Sequence, residues 1–531
     1  MKRILILGAG LMQRPAILAA KHLGLRSVVA DADKNAVCVP LADEFYPVDL
    51  KDREALLDLA RKLGVRGVFT AGTDFSASVS FVAERLGLPA HSFEAALNAS
   101  DKVRMRGCFE KSGVPSPKFR EIASGFPGGS GADETDFPKV VKPCDNMGGR
   151  GCRLIRSGAE LSLAVAAAIE NSRSHRAILE DYMEGAEFSI DAVVYDGTLT
   201  ITGFADRHIF YPPYFIEMGH SLPSKIAPRI KGELIAAFAL GVKALGLSCG
   251  AAKADIKYTR DGPMIGEIAA RLSGGYMSGW TFPYASGMNL IEEAMKISLG
   301  MEPDYLLANR VSVPWQPQES MRENICPFGL YEIQTTLVSA ERAWLSIPGK
   351  VSKVYGLDEA ARIYGVRDVL PRAGEGDAVD FPRNNVQKCG NIISVGINHD
   401  QAYKSAQEAV SSIILRLEPG NPETESFLRG ESHDDEEGFP VSAFTFCPKN
   451  SSSITVGEGT IIRENERVSD RIPESLIPLA DSLRDWNHRT LRKTLEKFDG
   501  ICPIHKEMDG KVFWSALLRG GIQGALYVAD N

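Results

Sequence analysis

Short apolar runs alternate with amphipathic segments through the first hundred residues, and this alternation restricts the fold more than any other feature of the chain. The apolar runs are predicted as strands at Arg3–Leu7, Ser27–Ala30 and Gly67–Thr70. The amphipathic segments are predicted as helices at Ala16–Leu23, Lys51–Leu63 and Ser76–Leu86. A strand–helix–strand unit packs its helix against a sheet of parallel strands. We therefore expect residues 1–99 to form an α/β domain around a doubly wound parallel sheet.

The loop after the first strand, Gly8-Ala9-Gly10, has the start of a dinucleotide-binding motif. That motif needs a third glycine where the helix meets the strand, and this chain has Gln13 at that position. Two glycines alone are weak evidence for a bound dinucleotide. Asp31, at the end of the second strand, is therefore interpreted as an ordinary acid that faces a cleft, and NAD(P) is not predicted.

A β-hairpin is predicted in the stretch KADIKYTRDGPMIGEIA, where two short strands flank the turn residues 260–263. Asp255 lies in the middle of the first strand and Glu267 in the middle of the second. Carboxylates brought together across a hairpin repel each other unless a cation lies between them, and Mg²⁺ is held by such ligands together with substrate phosphates. The hypothesis is a site where a nucleoside triphosphate and its metal meet an acceptor. The alternative is an ordinary surface hairpin with solvated charges.

A second segment predicts phosphate binding. The strand FPKVVKP carries Lys142 near its end and leads into a loop that contains Gly148, Gly149 and Gly151. Backbone N–H groups of such a loop can surround an anion, and a lysine adds a positive charge. No helix follows the glycines and the GK[ST] sequence is absent, so this is not a P-loop. The alternative is a flexible hairpin loop beside a surface lysine.

Composition excludes several classes of function. The net charge of −8 is spread along the chain without a Lys/Arg-rich block, so nucleic acid is not predicted as a partner. The nine cysteines form no CxxC pair, which argues against a zinc site or a disulfide framework. No stretch approaches the ~20 apolar residues of a membrane span. The first ten residues are interpreted as a strand and not as a signal peptide, so a cytoplasmic location is expected.

Six motifs follow one another in an order that resembles the ATP-grasp superfamily over residues 1–415. They are Asp101-Lys102 at a helix start, Val141-Lys142-Pro143 before the glycine loop, Glu180–Gly185 with Glu187, Phe215–Pro223, Asp255, and Glu267–Arg271. The segment FIEMGHSLP is similar to an acidic-Gly-His-x-x-Pro segment of the carboxylate–amine, or L-amino-acid, ligase branch. The resemblance implies an ATP-grasp fold of α/β and α+β type, with a Rossmann-like pre-ATP-grasp domain, a lid subdomain and a C-terminal accessory domain.

The same resemblance implies the site residues. The ATP-binding residues would be Lys102, Lys142, Gly148, Gly149, Gly151, Glu180, Tyr182, Met183 and Glu187. Among them, the lysines would bind phosphates, Glu180 the adenine amino group and Glu187 the ribose. The ligands of Mg²⁺ (or Mn²⁺) would be Asp255 and Glu267. The catalytic residues would be Arg271, His220 and Glu217, and the substrate turn would be Ser273-Gly274-Gly275. The alternative interpretation of His220 is that it is a packed residue of a loop.

Three positions depart from the family pattern. Ala269 stands where the family often has Asn two residues after the second metal carboxylate, so one metal ligand is missing. Lys253 stands where many relatives carry His, and Asp255 where many carry Glu. These departures affect the number and geometry of the metal ions.

The domain organisation expected from composition and resemblance has five parts. They are 1–99, pre-ATP-grasp; 100–302, ATP-grasp, with the lid at about 118–187; 303–418, the C-terminal part of the ligase core; 419–440, an acidic linker; and 441–531, an α+β accessory domain. Residues 124–136, rich in Gly, Ser and acids, are interpreted as a mobile connector within the lid.

The function predicted from this resemblance is ATP-dependent ligation of a small-molecule carboxylate to an amine. The carboxylate would be activated as an acyl phosphate, and ADP and phosphate would be released. One alternative keeps the fold and changes the acceptor, as in a carboxylase or a carbamoyl-phosphate-type enzyme that acts on bicarbonate. The other, prompted by Ala269, is a non-catalytic nucleotide-binding module. The sequence leaves a homodimer open.

Overall fold

A computed structural model describes residues 1–123, 136–313, 329–431, 439–444 and 461–531. These residues form two compact units, and each is described by itself. The first unit contains residues 1–208 and 220–339. The second contains residues 209–219 and 340–531.

The first unit begins with a sheet of four parallel strands in the order β3-β2-β1-β4. The strands are β1 (Arg3–Leu7), β2 (Arg26–Asp31), β3 (Glu44–Pro47) and β4 (Val68–Phe69). The helices are α1 (Arg14–His22), α2 (Arg53–Leu63) and α3 (Ser76–Leu86). The predicted parallel sheet is confirmed. The sequence missed β3, because the side chains of this edge strand are only half-buried and no apolar run marks it.

Two helices, α4 (Phe93–Ser100) and α5 (Lys102–Ser112), follow this sheet. Asp101 caps α5, since its carboxylate accepts hydrogen bonds from the N–H groups of Val103 at 2.9 Å and Arg104 at 3.1 Å. The sequence predicted a helix start at Asp101-Lys102, and this cap fixes the turn from which Lys102 begins the helix.

The next element is an antiparallel sheet of four strands in the order β5-β8-β6-β7. The strands are β5 (Phe119–Ala123), β6 (Lys139–Pro143), β7 (Arg153–Ile155) and β8 (Arg176–Asp181), and the helix α6 spans Leu161–Glu170. A small apolar core that includes Val141, Ala164 and Leu179 packs α6 on the sheet. Most of the predicted connector, residues 124–135, lies outside the described residues.

A larger sheet completes the first unit. Its strands are β9 (Ala186–Tyr195), β10 (Thr198–Phe210), β12 (Gly250–Thr259) and β13 (Gly262–Ala269), while β11 (Ile216–Leu222) has residues in both units. Within the first unit their order is β13-β12-β9-β10, and β10 also pairs with β15 (Gly329–Ile333), which pairs with β14 (Arg310–Ser312). The remaining helices are α7 (Pro228–Leu245), α8 (Phe282–Ser286), α9 (Leu290–Ser298) and α10 (Asp304–Asn309). Leu234, Phe238 and Val242 of α7 share a buried core with Ile265 and Ile268 of β13, which explains the apolar face of that helix.

The second unit has two small sheets. Its strands β16 to β21 are Val338–Trp344, Gly349–Tyr355, Val366–Pro371, Ala378–Val379, Gly390–Gly396 and Ile414–Leu417. One sheet has the order β16-β20-β18 and the other the order β19-β17-β21. The last two strands, β22 (Ile461–Ile462) and β23 (Met508–Asp509), pair with each other. The helices α11 to α15 are Leu357–Arg362, His399–Ser412, Pro422–Arg429, Leu491–Ile501 and Gly510–Asp530.

The C-terminal residues of this unit share one apolar core with residues 340–417. Trp344 and Ile413 belong to the same buried cluster as Phe498, Phe513 and Trp514. Helix α13 lies within the stretch 419–440, while residues 432–438 of that stretch lie outside the described residues. The domain boundaries given by composition stay predictions. No helix in the described ranges is long and apolar enough to cross a bilayer.

Candidate active site

Helix α5 contributes two cations to the candidate site. Lys102 and Arg106 are one turn apart, so their side chains leave the same face of the helix. The ammonium group of Lys102 donates to the carbonyl of Asn146 at 3.0 Å and lies 3.4 Å from Glu267. Arg106 donates to the carbonyl of Gly266 at 2.7 Å. The helix therefore contacts both the glycine loop and the hairpin.

A carboxylate with two cationic partners lies beside this helix. Glu180, at the end of β8, accepts a hydrogen bond from Arg106 Nε at 2.9 Å on one oxygen and from Lys142 Nζ at 2.7 Å on the other. Its side chain is 1% exposed. Burial would raise the pKa of Glu180, but Arg106 and Lys142 outweigh burial and hold that pKa below its ordinary value.

The glycine loop between β6 and β7 has a defined shape. Gly148, Gly149 and Gly151 all have positive φ, at 73°, 75° and 65°, a region that other L-residues rarely adopt. A Cβ on Gly151 would lie 2.9 Å from Asn171 Cβ, so the loop packs closely against the end of α6. Asn146 fixes the base of the loop by donating to the carbonyl of Asn171 at 2.6 Å. The three glycines thus allow a backbone path that other residues rarely adopt, and the phosphate-binding role of the loop stays a prediction.

The hairpin of β12 and β13 brings the two predicted metal ligands together. Asp255 and Glu267 are direct cross-strand partners in its register. Directly opposed residues point to the same face of a sheet. Lys253 and Lys257 share this face with Asp255, because alternate residues of a strand point the same way. The predicted hairpin is confirmed, and both acids are half-buried rather than solvated.

Neighbouring cations keep both acids ionised. Burial would raise the pKa of Asp255, but Arg207 and Lys253 hold it at about 2. Burial likewise opposes ionisation of Glu267, whereas Lys102 and Lys253 lower its pKa. An ionised pair of carboxylates is the form that binds a divalent cation.

The donor set fits a hard divalent cation. Asp255 Oδ1 is buried and has no hydrogen bond among the described residues, although Arg207 Nη1 lies 2.9 Å from it. Buried carboxylate oxygens are normally hydrogen-bonded, so an oxygen in this state is suited to ligate a metal. Ala269, the cross-strand partner of Lys253, offers no oxygen from its side chain.

The predicted ribose ligand belongs to the same polar face. Glu187 of β9 accepts a hydrogen bond from Arg207 Nη1 at 2.7 Å and lies 3.3 Å from Lys257 Nζ. Lys257 also donates to the carbonyl of Met183 at 3.2 Å and lies over the ring of Tyr182. The segment predicted to contact the base and ribose is therefore joined to the hairpin by Lys257.

Arg271 and the turn after it are held by acids that the sequence did not single out. Arg271 Nη2 lies 4.0 Å from Asp74 Oδ1, and its Nη1 donates to the carbonyl of Leu272 at 3.0 Å. Asp191, fully buried on β9, accepts from the N–H of Ser273 at 3.1 Å and from its hydroxyl at 2.6 Å. Burial raises the pKa of Asp191, although the hydrogen bonds from Ser273 act to lower it.

The backbone of this turn also approaches the N-terminal sheet closely. A Cβ on Gly72, in the loop after β4, would lie 3.1 Å from the Cα of Gly274. Gly275 has a positive φ of 62°. Ser273, Gly274 and Gly275 therefore lie near the carboxyl edge of the parallel sheet, where ligands of such sheets bind.

The two remaining predicted residues lie in different compact units. His220 is buried on β11, and its Nε2 is 2.8 Å from the hydroxyl of Thr281. Glu217 belongs to the second unit, where its N–H donates to Asn385 Oδ1 at 2.7 Å and its carbonyl accepts from Lys388 at 2.7 Å. The roles predicted for both stay predictions.

Sequence reasoning missed three cations of the site. Arg106 could have been predicted from its spacing of four residues from Lys102, which keeps both side chains on one face of a helix. Lys257 could have been predicted from its spacing of two residues from Asp255, which keeps both on one face of a strand. Arg207 has no comparable signal, because it reaches Asp255 and Glu187 from a separate strand. With these three residues, cations outnumber carboxylates in the site, which suits a polyphosphate anion.

Three family profiles match separate parts of the chain. An ATP-grasp domain matches residues 135–279, and a ribonucleotide synthetase pre-ATP-grasp domain matches residues 1–72. The C-terminal domain 2 of L-amino acid ligases matches residues 343–418. The first two profiles contain most of the residues described above.

Two curated relatives and one solved structure are similar over long stretches. The uncharacterized protein y4rH of Sinorhizobium fredii is 24% identical over 81% of this chain and 84% of its own length. Carnosine synthase 1 of Gallus gallus is 25% identical over 57% of this chain, and the match spans 36% of the length of that enzyme. The crystal structure of L-amino acid ligase from Bacillus licheniformis superposes with a TM-score of 0.65 and 19% identity, over 79% of this chain and 99% of that chain.

Proposed function

This chain belongs to the ATP-grasp superfamily of ATP-dependent ligases, and from that premise we propose that it joins a carboxylate to an amine through an acyl phosphate. The observation that carries the proposal is the position of helix α5. Lys102 contacts Glu267 and the base of the glycine loop, and Arg106 contacts Glu180 and the hairpin. The residues predicted to bind phosphate and the carboxylates predicted to bind the metal therefore lie around the same helix.

The chemistry begins with a carboxylate, which is a poor electrophile because its charge is delocalised. Its oxygen attacks the γ-phosphorus of ATP, and the bond from that phosphorus to the ADP oxygen breaks. The amine nitrogen then attacks the acyl carbon, phosphate leaves with the C–O bond electrons, and the amine loses a proton. His220 would either orient a substrate or accept that proton. Positioning and charge neutralisation supply most of the catalysis in such phosphoryl transfers.

Lys102, Lys142 and Arg271 supply positive charge to the transferring phosphoryl group. Preorganised cations in a water-poor site stabilise developing charge more than they would in bulk water. Lys102 and Arg271 are buried and held by neighbouring acids, so little reorganisation is needed when the reaction starts. The glycine loop would exclude water from the acyl phosphate, which would otherwise hydrolyse.

Asp255 and Glu267 would hold Mg²⁺, which when bound supplies charge neutralisation to the β- and γ-phosphates. Lys253 would remain beside Asp255, with which it forms an ion pair. Its ammonium group adds a permanent positive charge on the side of the hairpin where Ala269 provides no ligand.

The names of the relatives support an amino acid as one substrate. A curated relative is named carnosine synthase, and a structural neighbour is named an L-amino acid ligase. A C-terminal profile of the L-amino acid ligase type matches this chain. We infer from those names that one of the two substrates is an α-amino acid.

The experiment is phosphate release from Mg·ATP across a panel of amino acids, offered singly and in pairs, with products identified by mass spectrometry. We expect release that depends on a particular pair and a product whose mass is the sum of the pair minus water. Arg271→Met is the variant to compare, and it should abolish release while ATP still binds. Release that depends on bicarbonate alone, or ATP binding without release for any pair, would reject the proposal.

A further inference from the structure

The two cations on Glu180 differ in how firmly they are held. Arg106 is 1% exposed and is fixed at two points, by Glu180 and by the carbonyl of Gly266. Lys142 is 17% exposed, and the described residues give it one hydrogen bond, to Glu180 Oε2 at 2.7 Å. Lys142 also lies at the end of β6, directly before the glycine loop. Of the two, only Lys142 is free to exchange its partner.

A nucleotide in this site would compete with Glu180 for Lys142. The inference rests on the proposed function, because it takes the phosphates of a nucleotide as the competing anion. If Lys142 moves to a phosphate, Glu180 loses one cation while it stays buried. An ionised carboxylate without a partner is unfavourable in a buried position. Some other cation must then balance Glu180, or nucleotide binding is weakened.

We propose that Arg106 is a positioning residue that keeps Glu180 paired after Lys142 has moved to the phosphates. Arg106 bonds to the other carboxylate oxygen, Oε1, so its contact survives the departure of Lys142. Its bond to Gly266 keeps the guanidinium in place, and a guanidinium cannot lose its proton under ordinary conditions. Glu180 Oε2 then becomes free to accept an N–H group of the bound nucleotide.

A further observation concerns Arg106 itself, whose contacts with Glu180 and Gly266 use only Nε and Nη2. Its Nη1 is buried and has no hydrogen-bond partner among the described residues. Buried guanidinium donors are normally satisfied, so this donor marks an incomplete polar environment. The orphan donor belongs to the same guanidinium that bridges Glu180 and Gly266.

The test compares ATP with adenosine in wild type and in Arg106→Met, by calorimetric titration in the presence of Mg²⁺. Adenosine has no phosphate to attract Lys142, so its affinity should change by no more than about twofold. ATP attracts Lys142, so we expect its dissociation constant to rise by about 100-fold in Arg106→Met. Arg106→Lys keeps the charge and should restore most of the ATP affinity.

Two further variants separate this role from general damage to the fold. Arg104 lies on the exposed side of the same helix, where it contacts Asn98 at 3.0 Å. The Arg104→Met variant should therefore bind ATP as wild type does. Adding Glu180→Gln to Arg106→Met should recover part of the lost ATP affinity, because the neutral amide needs no counter-charge. Thermal unfolding of every variant shows whether it is folded at the temperature of the titration.

The outcomes distinguish the inference from the proposed function. If wild type does not bind ATP, the nucleotide site itself is wrong. If wild type binds ATP and the folded Arg106→Met variant binds it within about twofold of wild type, the site stands and the role of Arg106 is overturned. Equal losses for ATP and adenosine in a folded Arg106→Met variant would also overturn it, since they would show a general packing effect.

Discussion

The two groups of carboxylates in the site differ in burial and in how completely they are paired. Glu180 is 1% exposed, and both its oxygens bond to cations. The side chains of Asp255 and Glu267 are 23% and 28% exposed, and one oxygen of Asp255 lacks a hydrogen bond among the described residues. A saturated, buried acid can organise its neighbours, while a partly exposed acid can exchange a neighbouring cation for a new ligand. The comparison therefore separates Glu180 from the two acids that are proposed to bind a metal.

The largest effect expected from this comparison is at Glu267. Glu267→Gln keeps the size of the side chain and removes the charge that a divalent cation needs, so ligase turnover should fall by about 10³-fold. Electron paramagnetic resonance of Mn²⁺, titrated in the presence of ADP, should show weakened metal binding in the same variant. Retention of tight Mn²⁺ binding by Glu267→Gln would place the metal elsewhere.

At Glu180 we expect a large effect on stability instead. Glu180→Ala leaves Arg106 and Lys142 without their shared counter-ion, and breaking a buried pair in this way costs about 3–5 kcal/mol. Urea unfolding, followed by circular dichroism, measures the free energy of unfolding. A loss below about 1 kcal/mol would mean that water already reaches this carboxylate, and the contrast with Glu267 would disappear.

Asp255 predicts a dependence of stability on pH. Its pKa of about 2 lies below the ordinary value of 3.8, so its ionised form stabilises the fold above about pH 4. This contribution is lost as the pH falls from about 4 towards about 2. Asp255→Asn lacks the titrating group. Over that interval its free energy of unfolding should therefore fall by about 2 kcal/mol less than that of wild type. Parallel curves for the variant and wild type would contradict the assignment of the low pKa to Asp255.

The smallest effect is expected at Asp261, a third carboxylate of the same hairpin. Its side chain lies in the turn and is 78% exposed. Asp261→Asn should change the free energy of unfolding by less than about 0.5 kcal/mol and leave Mn²⁺ binding and turnover unchanged. It is the matched control for the other two acids of the hairpin. A marked loss in this variant would show that charge anywhere on the hairpin matters, and not the position of Asp255 and Glu267.

Local sequence determined the elements that depend on near neighbours. The turn between Thr259 and Gly262 sets the register of the hairpin as far as Ile256 and Ile265. A bulge at Gly266 then shifts the register by one residue and brings Glu267 opposite Asp255. The cap at Asp101 and the alternation of the first hundred residues likewise depend on short-range rules. The edge strand β3 was missed because its side chains are half-exposed and leave no apolar pattern.

The sequence by itself therefore determined the parallel sheet and the hairpin, whereas the bulge at Gly266 placed the two acids on one face. Only the tertiary structure decided which cations meet which acids. Arg106 and Glu180 are separated by 74 residues, and Lys142 and Glu180 by 38, so no local period links them. Arg207 likewise reaches Asp255 from a different strand, so no local spacing predicts this contact. A hydrophobic period or a turn residue acts over a few positions, whereas charge pairing in a buried site depends on how distant elements pack.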